Sequence, residues 1–419
     1  MRVFKFGGAS IKNAEAVKNV LQLLQHTGYE DTFIVVSAMG KTTNALEQVV
    51  AEYFEAPQQL PACISSITAF HFDIVDALFA SNKKAVKETL LELIEDLKTF
   101  FQRNKSPNRS FVYDQVVSYG ELLSSTIMHQ YLLQCGMAVS WLDARRCIKT
   151  DNYYRGAHLH WDKTREAMES LTATKTTLIT QGFIGSDENN FTTTLGREGS
   201  DYSAAIFAYL LNAESVTIWK DVPGVLNADP RHFDNTQLLH HISYEEAIEL
   251  AFYGASVIHP KTLQPLQQKE IPLHVKPFLH PSEQGTTITK GHPISPKIPC
   301  FILKQHQVLL QLSSRDFSFI IEENISAIFA LLQKHKMRVD LIQNSAITFS
   351  VCVNDKYNAL AALVQQLEAK FKVDVHPKVS LYTIRHFDQQ AMERITNGKK
   401  LLLEQRTATT LQYVFEAAS

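Results

Sequence analysis

The sequence has little of several things that would point to a particular compartment or partner. Its five cysteines (Cys63, Cys135, Cys147, Cys300 and Cys352) are scattered, odd in number and without CxxC spacing. That argues against a disulfide framework or a zinc ribbon and fits a reduced, cytoplasmic setting. No apolar run approaches the roughly 20 residues that a bilayer-spanning helix needs. Charge of one sign is missing too: 41 Lys and Arg against 43 Asp and Glu leave a formal net charge of −2. No global field therefore recommends nucleic acid or an anionic membrane. Proline and glycine are not in excess, at 14 and 16 of 419 residues, which excludes collagen-like and low-complexity chains. The chain enters a strand almost at once, so no secretory leader is expected.

What the sequence does have is length and alternation. At 419 residues, with 45% hydrophobic and 20% charged side chains, it is long enough for two or three domains with cores of their own. Val3–Phe4 reads as a short buried strand, and residues 13–26 place Val17, Val20, Leu21 and Leu24 on one helical face. Thr32–Ser37 is a continuous apolar run of the parallel-sheet kind. Such alternation predicts an α/β sandwich with helices on both faces of the sheet. From about Ile67 to Arg103 the pattern is helical and rich in Lys and Glu, which marks a helical insertion at about 60–110. Strands are then expected at Val116–Val117, Ala138–Leu142, Thr177–Thr180, Phe191–Leu195 and Val216–Trp219. Helices are expected at Glu121–Leu133, Asp201–Leu211 and Tyr244–Phe252, the last capped by Ser243. Gly291–Pro299 reads as a linker. Beyond it come strands at His306–Leu312, Ala346–Val353 and Val379–Ile384, with helices at Ser326–His335, Ala359–Phe371 and Gln389–Ile395, the pattern of small ligand-sensing units.

Glycine junctions carry the chemistry. In Lys5-Phe6-Gly7-Gly8-Ala9-Ser10 a lysine and two glycines follow the first strand. Such a turn is either plain punctuation or a phosphate cradle, because glycine lets backbone N–H groups approach an anion at a helix start. Neither Walker A nor Rossmann spacing is present. Residues 195–205 (LGREGSDYSAA) form a second such junction, with Arg197 offering a planar fork for a carboxylate or phosphate and Asp201 four residues on. A third loop, 220–231 (KDVPGVLNADPR), interleaves acid and base, and Ser118–Ser124 puts Glu121 at a helix start. Several glycine loops at strand ends form the crevice in which open α/β sheets bind ligands. His158 and His160 lack a third partner at metal spacing, so no metal site is expected there.

Six motifs (KFGGAS, SYGELLSS, TQGFIGSD, LGREGSDYSAA, KDVPGVLNADPR and YGASVIHPKTL) occur over residues 3–263 in the order found in aspartate kinases. The chain thus resembles that branch of the amino acid kinase superfamily. The resemblance implies a three-layer αβα catalytic domain over 1–292 and a tandem ACT (ferredoxin-like) regulatory region over 300–419, its second unit poorly matched. It implies phosphorylation of the L-aspartate side chain by ATP with Mg²⁺, the first step of lysine, threonine and methionine biosynthesis. By resemblance, Lys5 and Asp201 are catalytic. Lys5, Gly7, Gly8, Ser10, Lys220, Asp221, Gly224, Asp229, Pro230 and Arg231 bind ATP. Thr43, Glu121, Phe183, Arg197 and Ser200 bind aspartate, with Arg197 on a carboxylate and Glu121 on the amino group of the substrate. Asp340 and Asn344 line an effector site for lysine or threonine, and ACT pairing implies a homodimer. The acceptor, a carboxylate of pKa about 3.9, is already ionised and needs no general base.

The chain departs from the family pattern at Ala9 (Thr or Ser), Ser256 (Lys), Leu226 (Tyr) and Lys220 (Thr or Ser). Lys220 is expected to supply the charge that Ser256 cannot. Two other readings stay open: a kinase for another carboxylate such as glutamate, and a weak or inactive kinase-like subunit that senses an amino acid.

Overall fold

The computed structural model describes residues 1–169, 177–255 and 258–416. Packing divides them into two units, the first comprising 1–225, 238–248 and 258–294, the second 226–237, 249–255 and 295–416, counting described residues. Ser256, one of the departures, lies outside the described residues.

The first unit opens with β1 (Arg2–Phe6), α1 (Ala14–Thr27), β2 (Thr32–Val36) and α2 (Thr42–Glu55). Then come α3 (Leu60–Leu78), α4 (Lys83–Arg103), α5 (Arg109–Val117) and α6 (Tyr119–Gln134), so that from Leu60 to Gln134 every strand is absent. It continues through β3 (Val139–Leu142), α7 (Ala144–Cys147), α8 (Trp161–Glu169), β4 (Thr177–Gln181), β5 (Ile184–Ser186), β6 (Thr192–Thr194), α9 (Gly199–Leu211) and β7 (Ser215–Lys220). It ends with β8 (His241–Ser243), α10 (Tyr244–Tyr253, whose last residues count with the second unit), α11 (Pro260–Gln268), β9 (Leu273–Pro277) and β10 (Thr286–Thr289).

Eight strands form one mixed sheet in the order β3-β4-β2-β1-β7-β9-β10-β8. It is parallel throughout except where β10 runs against β9. Alternation along β2 separates its faces. Ile34 and Val36 join Phe4, Phe6 and the apolar faces of α1, α3, α4 and α6 in one core. Phe33 points the other way and packs on Phe207 of α9, ring centroids 4.4 Å apart. Caps start helices where the sequence offers them: Asn13 Oδ1 accepts from Ala16 N at 2.9 Å, and Ser243 Oγ from Glu246 N at 3.1 Å. One expected strand is not a strand. Val116–Val117 is the end of α5, fully buried, and a pair of apolar residues reads the same in a buried helix as in a strand.

The second unit holds β11 (Cys300–Ser314), α12 (Glu322–Lys334), β12 (Arg338–Asn344), β13 (Thr348–Asn354), α13 (Leu360–Glu368), β14 (Phe371–Arg385), α14 (Gln389–Thr396), β15 (Leu401–Arg406) and β16 (Thr410–Phe415). They build a single antiparallel sheet ordered β12-β13-β11-β14-β16-β15, the arrangement expected of paired ACT modules. The two central strands pair from Cys300↔Arg385 to Ser314↔Phe371, interrupted by a bulge between Lys304 and Leu309. Each 15-residue strand therefore serves two βαβ halves. The helix expected to reach Phe371 stops at Glu368, and Val379–Ile384 is the second half of β14 rather than a separate strand.

Candidate active site

Two strand ends and a helix start of the first unit meet around one carboxylate. Asp201 stands in the first turn of α9, where N–H groups and the dipole favour an anion. Lys5 Nζ, carried by β1, lies 2.6 Å from Asp201 Oδ1, and Lys220 Nζ, at the end of β7, lies 3.4 Å from Oδ2. Burial pushes the Asp201 carboxyl up; the two ammonium groups outweigh it and hold it below the ordinary carboxylate range.

The glycines after Lys5 have separate geometric reasons. A Cβ on Gly7 would come within 3.3 Å of Lys5 Nζ. One on Gly8 would meet Ala38 O at 2.8 Å and Gly40 O at 3.0 Å, so the turn closes on the loop after β2 only as glycine. Ser10 is buried, and its hydroxyl donates to the Trp219 carbonyl at 3.2 Å, which ties the turn to β7.

Over this cluster opens a cleft of about 460 Å³. Eight of the expected residues line it together: Lys5, Thr43, Glu121, Phe183, Arg197, Ser200, Asp201 and Lys220. Glu121, in the first turn of α6, is 3% exposed. Its Oε1 accepts from Ala38 N at 3.3 Å while Oε2 has no partner, and burial pushes the carboxyl up to about 8. Without a cation beside it, Glu121 is protonated at neutral pH. An incoming ammonium group would supply that cation and reverse the preference. Phe183 has φ +71° and donates its N–H to Ser203 Oγ at 2.9 Å. A Cβ on Gly182 would sit 2.5 Å from Ser200 Cβ, so this strand end and the start of α9 approach closely only through glycine.

Seven further residues line the cleft that had not been singled out as site residues: Ser37, Tyr113, Arg155, Thr194, Gly196, Glu198 and Gly199. Glu198 lies inside the LGREGSD motif and was legible there; its carboxyl is raised, first by burial, against the opposing charge of Lys220. Asp221 and Gly224 do not line the cleft. Gly224 has φ +152°, and a Cβ there would come within 2.5 Å of Thr286 Oγ1, which gives it a packing reason. Asp229, Pro230 and Arg231 belong to the second unit, where Arg231 forks onto Asp229 at 2.6 Å.

Also in the second unit, Asp340 lines a cleft of about 240 Å³ with Tyr253, Gln405, Thr410 and Gln412, whereas Asn344 does not line it. Lys304 Nζ stands 2.7 Å and Arg338 Nε 3.3 Å from Asp340 Oδ1. Among the described residues no group of three or more His, Cys, Asp or Glu side chains could hold a metal ion. No helix among them is long and apolar enough to cross a membrane.

The amino acid kinase family model matches residues 1–277. Lysine-sensitive aspartokinase 3 of Escherichia coli is 29% identical over 396 residues, covering 91% of this chain and 86% of the relative. A chloroplastic bifunctional aspartokinase/homoserine dehydrogenase of Daucus carota is 27% identical, and the chain spans 42% of its length. Among solved structures, E. coli aspartokinase III in complex with lysine and aspartate superimposes with a TM-score of 0.82 at 26% identity, covering 99% of this chain and 95% of that one. The same enzyme with aspartate and ADP gives 0.81 at 25% identity, covering 99% and 96%.

Proposed function

Because the chain belongs to the amino acid kinase family, we propose that its first unit transfers the γ-phosphoryl group of ATP to the side-chain carboxylate of L-aspartate. One carboxylate oxygen attacks the γ-phosphorus, the bond to the β–γ bridging oxygen breaks, and the products are 4-phospho-L-aspartate and ADP. The observation that carries this reading is the Lys5–Asp201–Lys220 cluster at the floor of a cleft that also holds Arg197 and the unpartnered Glu121 oxygen.

Each part has a physical task. Asp201 fixes both ammonium groups where charge develops on the transferring phosphoryl oxygens, so little reorganisation remains at the moment of transfer. Lys220 stands in for the lysine that family members carry at the position of Ser256. The acceptor is ionised at neutral pH, so the cleft needs alignment rather than a base. Arg197 takes a carboxylate, and Glu121 takes the α-ammonium. Mg²⁺ enters with the nucleotide phosphates, in keeping with an ion that keeps few protein ligands. A relative, E. coli aspartokinase III, solved with aspartate and ADP and with lysine and aspartate, supports the substrates and an amino-acid effector; the family resemblance is the ground for assigning that effector to the second unit. A cytoplasmic homodimer joined through ACT pairing completes the reading; the five cysteines are all free thiols.

The test is aspartate-dependent ADP release with ATP and Mg²⁺, with the acyl phosphate trapped as the hydroxamate. Turnover with aspartate and not glutamate is expected, inhibited by lysine or threonine. Purified protein that gives no hydroxamate overturns the kinase reading and leaves an amino-acid-sensing subunit.

A further inference from the structure

Glu198 is out of place twice. It carries a side chain where the backbone is left-handed, φ +54°, in the turn between Gly196 and Gly199. That conformation costs a residue other than glycine energy, and such strain collects where a side chain has a task. It is also a carboxylate among the cations of the phosphoryl end, where its charge opposes the phosphates those cations would hold.

Capping does not explain it. Glu198 is the N-cap residue of α9, yet its side chain accepts none of the helix's first N–H groups. Its Oε2 is sealed from solvent and has no hydrogen-bond partner, a costly state for a carboxylate oxygen. Three carboxylates line the cleft: Glu121, Glu198 and Asp201. Glu121 is kept neutral by burial. Asp201 is committed, with Oδ1 at 2.6 Å from Lys5 Nζ and Oδ2 at 3.4 Å from Lys220 Nζ. Glu198 is thus the acid of the phosphoryl end with an open oxygen. Burial pushes its carboxyl up, Lys220 pulls it down and Asp201 adds to the rise, so a further cation beside it would hold it ionised.

Phosphate oxygens carry the wrong sign to be that partner. A divalent cation arriving with them has the right one. Mg²⁺ takes oxygen ligands, keeps several waters, and is held by one or two carboxylates plus substrate phosphates rather than by a cage of protein groups. One open carboxylate oxygen fits that donor set. It also agrees with the finding that, among the described residues, no group of three or more His, Cys, Asp or Glu side chains could hold a metal alone.

We propose that Glu198 is a protein ligand of the divalent cation that enters with the nucleotide, and that it thereby selects the metal-loaded nucleotide over the free one. This rests on the aspartate kinase reading and deepens it, by giving the cation a fixed point at the start of α9. Without the metal, Glu198 repels the phosphates; with it, the same charge becomes a contact.

The test follows Mn²⁺, a paramagnetic ion that accepts the same oxygen ligands, as it binds the complex of enzyme and ADP, by electron paramagnetic resonance. Calorimetry measures ADP binding in EDTA. Neither readout needs aspartate or turnover. Glycine adopts φ +54° freely, so Glu198→Gly removes the carboxylate without opposing the turn. Glu198→Gln keeps the side chain's shape and removes only its charge. In both variants Mn²⁺ should bind the ADP complex roughly tenfold or more weakly. Metal-free ADP should bind as tightly as to the unsubstituted enzyme, or more tightly. Glu198→Asp should recover part of the Mn²⁺ affinity. A cleft that is merely damaged would lose both kinds of binding together. Variants whose Mn²⁺ affinity stays within about twofold, or that lose metal-free ADP in equal measure, overturn the proposal. An unsubstituted chain that binds Mn²⁺ and ADP through Glu198 but yields no hydroxamate with aspartate counts against the kinase reading alone. A chain that binds no nucleotide overturns both.

Discussion

Asp201 in the first unit and Asp340 in the second are both nearly sealed from water, with side chains 3% and 4% exposed, and each sits between two cations. They differ in what surrounds the trio. The cleft over Asp201 adds Arg155 and Arg197, so cations exceed the carboxylates that are ionised, and Glu121 is held neutral by burial. Around Asp340 the lining adds hydroxyls, amides and aromatic rings, and no further cation. An ion cluster with surplus charge facing an open cleft is prepared for an anion. The Asp340 trio carries one surplus positive charge with no further cation lining its cleft, and Lys304 and Arg338 already occupy the carboxylate, which leaves little for a ligand's ammonium group. Asp340 could receive a cationic effector only by exchanging it for Lys304.

Removing a cation therefore should do opposite things in the two places. Lys5→Met should lower kcat by about 10²–10³, the scale of losing one preorganised donor to a developing charge. Lys220→Ala should lower kcat less and raise KM for ATP. Circular dichroism should show both folded, because either lysine alone still faces Asp201. Near-unchanged kcat and KM for ATP in Lys220→Ala would sink the idea that this residue replaces the family's lysine at Ser256.

Glu121 sharpens the comparison by pH. Folding raises its carboxyl from 4.5 to about 8, so between those values the folded chain holds a proton that the unfolded chain has released. Stability should fall as pH rises through that window, with the loss complete above about 8. Asp114, pushed up to about 7 chiefly by burial, acts in the same direction. Glu121→Gln should flatten the dependence of Tm on pH and raise KM for aspartate about tenfold or more, for want of an anion to meet the ammonium. Aspartate binding near pH 7 should release a proton in the unsubstituted enzyme and not in the variant, read by calorimetry in two buffers. Equal proton release from both would remove Glu121 from the ammonium site.

In the second unit the effect should be on stability instead. Lys304→Met leaves Asp340 with Arg338, whose side chain is 62% exposed. The expected cost is about 1–3 kcal/mol, seen as a Tm drop of roughly 2–4 °C per kcal/mol with kcat unchanged. A variant that keeps its Tm and becomes more sensitive to lysine would break the comparison, for it would make the Asp340 cluster a ligand site held shut.

The sequence disclosed these features unevenly, for a physical reason. Lys5, Glu121, Arg197 and Asp201 each stand at a strand end or helix start beside a glycine, and their positions follow from local backbone geometry. Tyr113 and Arg155 have no such mark. They meet through Asp114, whose hydrogen bonds reach 41 and 80 residues along the chain, and no local pattern encodes that. The fold shows the same division. Strands β1, β2, β4 and β7 were legible as apolar runs flanked by helices, while Val116–Val117 carried no period to assign it. Segments β15 and β16 gave no expectation, because short edge pairings acquire meaning only against the long β14 that precedes them.

The smallest expected effect concerns Arg231. It is 77% exposed and its fork closes on Asp229 in its own loop, so the pair is matched in charge and, unlike the cleft at Asp201, offers no surplus cation. Exposed pairs of this kind add little to stability, and Arg231→Ala should leave Tm unchanged. If the loop also meets the nucleotide, as the family resemblance implies, KM for ATP should rise a few-fold with KM for aspartate constant. A KM for ATP equal to that of the unsubstituted enzyme would assign Arg231 to its loop alone. The charge on the nucleotide side would then come from Lys5 and Lys220, the two lysines that share Asp201.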